Sequence, residues 1–375
     1  MQPDFETLLV TGGREDHEQD ADFLAASHNI EPYSIPEMKR PLSIINDWSA
    51  YRDLKKIIKK FNPDIVHTHA AKSGALGRLA AKHCNVPVIV HTFHGHVFHS
   101  YFNSFKTNVF IKTERYLASL SDAIVAISDV QKKELAEDFK IAPAEKFRII
   151  PLGLDLDKFI TDQETKRKEF RNEFGLDENV IAIGIIGRLV PVKNHQLFLK
   201  GLKALLDAGN QKVKAFIIGD GETRNQIEQA AASMGINFSN HIDKDHPHPL
   251  VFTSWRTDVD VVCAGLDIIA LTSLNEGTPV SLIEAQAAGK PIVSTRVGGI
   301  ADVVLENITA LLSDINDENK FSENLIELVT NPDLRKSFQN AGKNHVLAKY
   351  GYKRLVDDMS RLYFELLEKK KFSKK

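Results

Sequence analysis

Two glutamates eight residues apart form the strongest chemical motif of the sequence. Glu276 and Glu284 enclose a segment that contains Pro279, follows the apolar run Ile268–Leu271 and has the pattern of a loop that opens a helix. The free N–H groups of a first helical turn, together with the helix dipole, attract anions. Carboxylates accept hydrogen bonds from neighbouring hydroxyl groups, such as those of a ribose or a hexose. The motif therefore predicts a ligand with phosphate and sugar groups, although a helix-stabilising acidic residue plus a solvated Glu would give the same pattern.

Two cations strengthen this interpretation. Arg188 and Lys193 lie in the loop that follows the apolar run Ile181–Ile186. The planar guanidinium of an Arg and the point charge of a Lys together suit a diphosphate. Such a pair is often no more than two surface cations. Here it follows a predicted parallel strand, and open α/β sheets bind ligands at the carboxyl ends of their strands, so the position favours a diphosphate site.

Glycines follow two further predicted strands. Gly219, Asp220 and Gly221 form a Gly-Asp-Gly turn, and Gly298-Gly299 follows another apolar run. Glycine permits a close approach of the backbone to a ligand. A tight turn is the commoner reason for such a pattern, so these glycines are weak evidence for a phosphate site.

Histidines follow two strands in the first half of the chain. They are His67 and His69 after one strand, and His91, His94 and His96 at the end of the next. No carboxylates cluster near them in the sequence, and Gly95 breaks any helical ligand spacing, so we predict no metal site. A histidine at a strand end is better explained as a polar contact to phosphate or sugar. The run from His241 to Pro249 is predicted to be a Pro-rich surface loop.

Apolar runs alternate with segments of helical periodicity, which is typical of an α/β protein with parallel sheets and crossover helices. The predicted strands are Phe5–Val10, Ile65–His67, Val88–His91, Ala123–Ile127, Ile181–Ile186, Lys214–Ile218, Ile268–Leu271 and Pro291–Ser294. The predicted helices are Trp48–Lys60, Gly74–His83, Phe105–Ser119, Gln196–Ala208, Thr223–Met234, Val280–Ala288, Glu318–Val329 and Tyr352–Lys369. Two such sets in succession predict two Rossmann-like domains that face a cleft. We expect them at residues 1–155 and 156–350, followed by a helix and a basic tail at residues 351–375.

Composition limits the classes of protein that fit. A chain of 375 residues is too long for one ordinary core, and a net charge of −2 gives no electrostatic reason for nucleic acid as the main partner. Cys84 and Cys263 lie far apart in apolar settings. We therefore predict that they form no disulfide and that the protein is located in a reducing cytoplasm. We find neither a leader peptide nor a run of roughly 18 apolar residues. The tail Lys369–Lys375 predicts a solvated end, with attraction to an anionic membrane as the alternative.

Taken together, these segments resemble the retaining glycosyltransferases of family 4, which adopt the two-domain GT-B fold. Glu276 and Glu284 match the paired-glutamate signature of that family, and Gly187, Arg188 and Lys193 match its pyrophosphate clamp. Further agreement comes from Ser128, Ile150–Asp155, Gly219–Gly221, Gly289–Thr295 and Gly298–Gly299. The resemblance covers nearly the whole chain.

The resemblance implies a role for each matching residue. Among the catalytic residues, Arg188 and Lys193 would neutralise the departing diphosphate, Glu276 would bind hydroxyl groups of the donor sugar, and His94 would lie across the cleft near the reacting sugar. Glu284 would bind the ribose of the nucleotide. The remaining donor-binding positions are Gly187, Gly219, Gly277, Thr278, Val280 and Ser281, with the amides of the last two on the diphosphate.

The implied reaction moves a sugar from a nucleotide-sugar donor, by default a UDP-sugar, to a glycan or lipid-linked acceptor in polysaccharide or glycoconjugate synthesis. Retention without an evident nucleophile implies front-face attack, in which the leaving phosphate helps to take the proton of the acceptor. Members of the family generally need no metal and no cofactor besides the donor. Asp155 and Asp157 have the spacing of a metal motif but lie in the predicted domain junction. The terminal helix would cross back onto the N-terminal domain.

The match departs from the family at the start of the chain. A first strand, a Gly-rich loop and a long helix normally precede the strand that we predict at Phe5–Val10. The first strand is central in a doubly wound sheet, so its loss would leave unpaired backbone and an exposed core. Two alternatives to an active transferase follow: a non-catalytic nucleotide-sugar-binding subunit or truncated form, and a sugar-nucleotide 2-epimerase of similar architecture.

Overall fold

A computed structural model describes residues 4–13, 30–39, 41–95, 104–210, 212–240 and 248–372. The chain divides into two compact units, which we call unit 1 (Met1–Pro151 with Leu355–Lys375) and unit 2 (Leu152–Arg354). His241 and the predicted loop as far as Pro247 lie outside the described residues, as do the last three residues of the basic tail. Both units are α/β, and all of their described sheet pairings are parallel.

The described residues of unit 1 form two sheets. Strands β1 (Val10–Gly12) and β2 (Tyr33–Ile35) pair with each other, and a second sheet has the order β3 (Ile65–His69), β4 (Val88–Phe93), β5 (Ala123–Ala126) and β6 (Phe147–Ile149). The helices before β6 are α1 (Ile44–Phe61), α2 (Ala71–His83), α3 (Ser104–Leu120) and α4 (Asp129–Lys133), followed by a π-helical turn at Glu134–Asp138 and a 3₁₀ turn at Ala144–Lys146.

The first strand lies later than we predicted. Residues Phe5–Leu9 form no strand, and the ladder with β2 begins at Val10. The ring of Phe5 packs against those of Tyr363 and Phe364, with centroids 5.6 and 5.1 Å apart, so a contact distant in sequence decides its position. A cavity of about 390 Å³, lined mainly by apolar side chains, lies between this segment and β3.

Unit 2 is built around one sheet of seven strands. Their spatial order is β13 (Ala310–Ser313), β12 (Ile292–Thr295), β11 (Ile268–Leu271), β7 (Ile181–Ile186), β8 (Val213–Ile218), β10 (Leu250–Ser254) and β9 (Phe238–Ser239). The α-helices are α5 (Gln163–Glu173), α6 (His195–Asp207), α7 (Arg224–Ser233), α8 (Val259–Gly265), α9 (Val280–Ala287), α10 (Ile300–Val303), α11 (Glu318–Thr330) and α12 (Pro332–Tyr350). Two 3₁₀ turns occupy Asp157–Phe159 and Pro191–Lys193. Separate apolar clusters bury side chains from the two faces of the sheet, which explains why its central strands are continuous apolar runs.

The terminal helix α13 (Tyr352–Phe372) belongs to unit 1 from Leu355 onward. Its buried residues pack on β4, β5 and the residue after β6: they are Met359, Leu362, Tyr363 and Leu366. Apolar residues three or four positions apart lie on one face of a helix, and this face covers the four-stranded sheet. No helix in the described part of the chain is both long and apolar enough to cross a membrane.

Candidate active site

The loops after β7 and β11 meet because these strands are neighbours in the sheet of unit 2. Thr272 Oγ1 donates a hydrogen bond to the carbonyl oxygen of Lys193 at 2.9 Å, and Leu274 N donates to the carbonyl oxygen of Val192 at 2.8 Å. Parallel strands end at the same edge of a sheet, so residues that are far apart in the sequence come together there. The two loops form one wall that carries Arg188, Lys193 and Glu276.

Lys193 and Glu276 are in direct contact across this wall. Lys193 Nζ lies 2.6 Å from Glu276 Oε1, and both side chains are largely buried. Ser273 Oγ donates to the same carboxylate oxygen at 2.6 Å. The Glu276 carboxylate is therefore held in one orientation by a cation from one loop and a hydroxyl group from its own.

Arg188 differs from Lys193 in its surroundings. Its side chain is exposed, and within the described residues it makes no hydrogen bond or ion pair. The preceding residue, Gly187, has a φ of +155°. The loop thus offers one cation that is already paired and one that is free to meet an anion.

Helix α9 begins beside Glu276 without a side-chain cap. Pro279 is its N-cap residue, and the N–H groups of Leu282 and Ile283 donate to the Pro279 carbonyl oxygen. Within the described residues, the N–H groups of Val280 and Ser281 have no acceptor. Uncapped amides and the positive end of the helix dipole make this turn suitable for a phosphate.

Glu284 lies one turn into α9 and is mostly buried. Burial raises the pKa of its carboxyl group to about 7. The negative charge of Asp260 also raises this pKa, and the positive charge of Lys158 lowers it. The carboxylate of Glu284 makes no hydrogen bond to the described residues. A buried carboxylate without a partner is costly to the fold, so a ligand with hydroxyl donors is a physical reason for its presence.

Glycines allow the loops of the site to pack closely. A Cβ atom on Gly219, whose φ is +135°, would lie 2.0 Å from the carbonyl oxygen of Gly187, and one on Gly298, whose φ is +48°, would lie 1.9 Å from that of Glu276. Packing between loops accounts for Gly219 and Gly298, and a ligand contact is not needed to explain them. At Gly277, in contrast, an added Cβ would meet no atom, and Thr278 beside it is half-buried.

Two serines near the site were not predicted. Ser273 binds Glu276, as described above, and Ser254 is the last residue of β10. Ser254 has a φ of +57°, and its Oγ donates to Asp220 Oδ2 at 3.0 Å. A non-glycine residue in this conformation is strained. Strand β10 was not predicted, so no predicted strand end pointed to Ser254.

His94 lies in unit 1, directly after β4, and is exposed. Its Nε2 atom is 2.9 Å from Nδ1 of His69, and the two rings are stacked. Behind them, the Nδ1 and Nε2 atoms of His67 lie 2.6 Å from the hydroxyl of Tyr363 and 2.7 Å from that of Thr92. Of the histidines predicted at two strand ends, His67, His69 and His94 form one cluster, whereas His91 contacts Thr68 Oγ1 and His96 lies outside the described residues.

These imidazoles are neutral near pH 7. Burial, reinforced by the neighbouring imidazoles, lowers the pKa of His67 to about 3 and that of His69 to about 4. Burial also lowers the pKa of His94, and that of His91 to about 2. In the part of the chain that the structure describes, no group of three or more His, Cys, Asp or Glu side chains is placed to hold a metal ion.

Comparison with known proteins identifies the family of the chain. The model of the family described as Glycosyltransferase Family 4 matches residues 2–158, and that of Glycosyl transferases group 1 matches residues 166–345. A UDP-Gal:alpha-D-GlcNAc-diphosphoundecaprenol alpha-1,3-galactosyltransferase of Escherichia coli is 28% identical over 346 residues, which are 91% of this chain and 86% of that protein. A D-inositol 3-phosphate glycosyltransferase of Corynebacterium jeikeium is 27% identical over 320 residues, which are 81% and 72% of the two chains.

Solved structures share the fold. HepE of Anabaena, in complex with UDP, superposes with a TM-score of 0.76 at 15% identity, over 92% of this chain and 89% of its own. A glycosyltransferase of Rickettsia africae gives a TM-score of 0.72 at 21% identity, over 92% and 87% of the two chains. Two successive family models, parallel sheets in both units and these neighbours lead to one conclusion: the chain belongs to the glycosyltransferases of family 4 and has the two Rossmann-like domains of the GT-B fold.

Proposed function

We propose that the protein transfers a sugar from a UDP-sugar to a glycan or lipid-linked acceptor, with retention of the anomeric configuration. The observation that carries this proposal is the contact between Lys193 and Glu276 beside the uncapped start of α9. It joins a cation suited to a diphosphate with a carboxylate suited to sugar hydroxyls. The exposed guanidinium of Arg188 and the buried carboxyl group of Glu284, neither of which has a side-chain partner among the described residues, complete a site for a nucleotide sugar.

The reaction makes different demands on these groups. When the bond between the anomeric carbon and the diphosphate breaks, negative charge develops on the phosphate, and Lys193, Arg188 and the amides of Val280 and Ser281 stabilise it. The acceptor oxygen forms the new bond on the same face, and its proton passes to the leaving phosphate oxygen. Glu276 binds hydroxyl groups of the donor sugar. Glu284 binds the ribose.

His94 contacts the reacting sugar in this proposal. Its lowered pKa supports a neutral hydrogen-bonding group and not a cation at this position. Charge stabilisation therefore remains with Lys193 and Arg188. We also propose that the donor site needs no metal ion, because cationic side chains and helix amides neutralise the diphosphate.

Two of these proteins support the choice of donor and acceptor. The Escherichia coli relative is named for UDP-galactose and for a sugar linked to diphosphoundecaprenol, and structures of Anabaena HepE were determined with UDP and with UDP-glucose. We propose a uridine nucleotide, an acceptor of the lipid-linked class, and a role in polysaccharide or glycoconjugate synthesis. The protein would act in the cytoplasm, in peripheral contact with an anionic membrane.

A screen of nucleotide sugars tests the proposal. A bound donor raises the melting temperature by mass action, so we expect UDP-sugars to stabilise the protein more than GDP- or ADP-sugars do. The stabilising donor should then be turned over with a lipid-linked acceptor and with EDTA present, and NMR of the product should show the donor's anomeric configuration. Tight binding without turnover would favour a non-catalytic subunit. Conversion of UDP-GlcNAc to its 2-epimer would contradict a transferase.

A further inference from the structure

Helix α1 begins with large apolar side chains that point into solvent. Leu42, Ile44, Ile45 and Trp48 are 79%, 91%, 80% and 60% exposed. Single exposed apolar residues are normal, but four within seven positions form a contiguous patch of the kind that marks an interaction site. We call these four residues the apolar patch.

The fold holds the apolar patch in place. Ser43 is the N-cap of α1, its hydroxyl accepts a hydrogen bond from Asn46 N, and its own N–H donates to Asp47 Oδ2 at 3.2 Å. Lys72, from helix α2, forms an ion pair with Asp47 and donates to the carbonyl oxygen of Pro41 at 2.5 Å. Residues before the patch and between its members are therefore held by hydrogen bonds and by an ion pair with α2.

The remaining exposed surface of α1 is basic. Successive helical residues are about 100° apart, which places the apolar patch and the basic side chains on one half of the helix and the buried residues on the other. The basic residues are Arg52, Lys55, Lys56, Lys59 and Lys60, and the buried ones are Ala50, Leu54, Ile57 and Ile58. The nearby acidic residue, Asp53, is neutralised by Lys56 at 2.7 Å. The guanidinium of Arg52 lies over the ring of Trp48, 4.6 Å from its centroid.

The basic tail is a weaker candidate for a membrane contact. Lys369 pairs with Glu365, and Lys370 lies 2.6 Å from Asp122. Both charges are thus balanced within unit 1. The solvent face of α1 combines unbalanced positive charge with an apolar patch, and this combination is what an anionic lipid surface binds.

We propose that the solvent face of α1 docks unit 1 on an anionic lipid bilayer. The apolar patch enters the headgroup region, where the amphipathic ring of Trp48 is favoured, and the lysines toward the end of the helix neutralise lipid phosphates. We choose an anionic lipid surface because the face carries five basic side chains, of which only Lys56 is paired with the acidic residue of this face, Asp53. This inference specifies the surface for the membrane contact proposed above and does not depend on the transfer reaction.

Vesicle binding tests the proposal with three variants of the full chain. Ile44→Ser/Ile45→Ser removes part of the apolar patch, and Lys56→Gln/Lys59→Gln/Lys60→Gln removes charge from the same face. The control, Lys168→Gln/Lys212→Gln/Lys336→Gln, neutralises three exposed lysines of unit 2. In flotation assays, the wild type should bind phosphatidylcholine vesicles only when they contain phosphatidylglycerol, and more weakly at high salt.

Three neutralised lysines should weaken this binding on the order of 100-fold, the Ser variant should also bind poorly, and the control should bind like the wild type. Circular dichroism and thermal stabilisation by a UDP-sugar check folding. Undiminished binding by either α1 variant, or equal loss in the control, would overturn the proposal. A wild-type dimer that Ile44→Ser/Ile45→Ser dissociates, without vesicle binding, would assign the face to a second copy. Vesicle binding by a protein that turns over no donor would leave this inference intact and reject the proposed function.

Discussion

Lys193 Nζ lies 2.6 Å from Glu276 Oε1, so the cation proposed for the leaving phosphate and the carboxylate proposed for the donor sugar are bonded to each other. The ammonium group of Lys193 has three donors, so it can bind a diphosphate at the start of α9 while it keeps its bond to Glu276. The second carboxylate oxygen of Glu276 is available to a hydroxyl group of the sugar. The contact thus places the groups proposed for the two halves of the donor side by side.

Replacement of Lys193 by Ala should lower kcat on the order of 100-fold and change the KM of the donor much less, because the ammonium group acts mainly on charge that develops in the transition state. Lys193→Arg should recover part of the activity. The matched control is Lys200→Ala, which breaks the exposed ion pair of Lys200 with Glu318 and should leave both constants unchanged. Steady-state kinetics measure both effects, and an unaltered kcat in Lys193→Ala would reject the assignment.

Replacement of Glu284 by Ala should chiefly weaken nucleotide binding. A carboxylate that accepts hydrogen bonds from a diol contributes charge-assisted bonds, and their loss should raise the Kd for UDP roughly 10- to 100-fold. Titration calorimetry with UDP and with UDP lacking the ribose 2′-hydroxyl separates the ribose contact from general effects. Loss of the 2′-hydroxyl should raise the Kd of the wild type and leave the Kd of the variant unchanged. Equal sensitivity of both proteins to it would place the ribose elsewhere.

The same residue should make unit 2 less stable above neutral pH. The pKa of Glu284 is raised from 4.5 to about 7, so the folded chain keeps a proton that the unfolded chain has lost between these values. Stability therefore falls as pH rises through this window, by up to about 3 kcal/mol. Glu284→Gln cannot lose a proton and should unfold at higher urea concentration than the wild type at pH 8, with little difference at pH 4.5. An equal difference at both pH values would contradict the raised pKa.

Long apolar runs made much of unit 2 predictable. Strands β7 and β11 lie at the residues that we predicted, because buried parallel strands are apolar on both faces. Helix α5 was missed because its segment Gln163–Glu173 has Phe170 as its single apolar residue, which leaves no periodicity to detect. Short strands such as β9, with two residues, carry no pattern of their own. Segments whose place depends on tertiary contacts are therefore the ones that local sequence cannot locate.

The residues of the proposed donor site could be selected from the sequence by type but not by contact. Lys193 and Glu276 stood out because charged side chains follow apolar strands. Their bond depends on the fact that β7 and β11 are neighbours in the sheet. The order of the strands cannot be predicted from the local sequence of either segment. Phe5 shows the same limit, since its local pattern favours a strand and its packing against Tyr363 determines the outcome.

Replacement of Gly298 by Ala should disturb the Glu276 loop. The new Cβ would lie 1.9 Å from the Glu276 carbonyl oxygen, in a residue whose φ is +48°, so we expect destabilisation by about 2 kcal/mol or more and a lower kcat. Gly209→Ala is the matched control: its φ is +83° and its Cβ would meet no atom, so it isolates the conformational cost of about 1 kcal/mol. Urea unfolding compares the two. Equal losses would mean that the loop contact at Gly298 contributes nothing.

The histidine cluster should make unit 1 sensitive to acid. The pKa of His67 is lowered from 6.5 to about 3 and that of His91 to about 2. Below pH 6.5 the unfolded chain therefore binds protons at these two residues that the folded chain does not bind. Stability is therefore lost as pH falls, by about 2 kcal/mol for each of these residues at pH 5. In unit 2, Glu284 acts in the opposite direction over an overlapping window.

The two tryptophans of the chain allow the units to be followed separately, because Trp48 lies in unit 1 and Trp255 in unit 2. Urea unfolding of Trp255→Phe reports on unit 1 and that of Trp48→Phe on unit 2. Between pH 7 and pH 5 the midpoint of unit 1 should fall further than that of unit 2. Adding His67→Gln to the Trp255→Phe background should reduce this fall, because an amide cannot take up the proton in the unfolded chain. A midpoint of unit 1 that is equally sensitive to pH with and without His67 would show that the imidazole keeps its ordinary pKa in the fold.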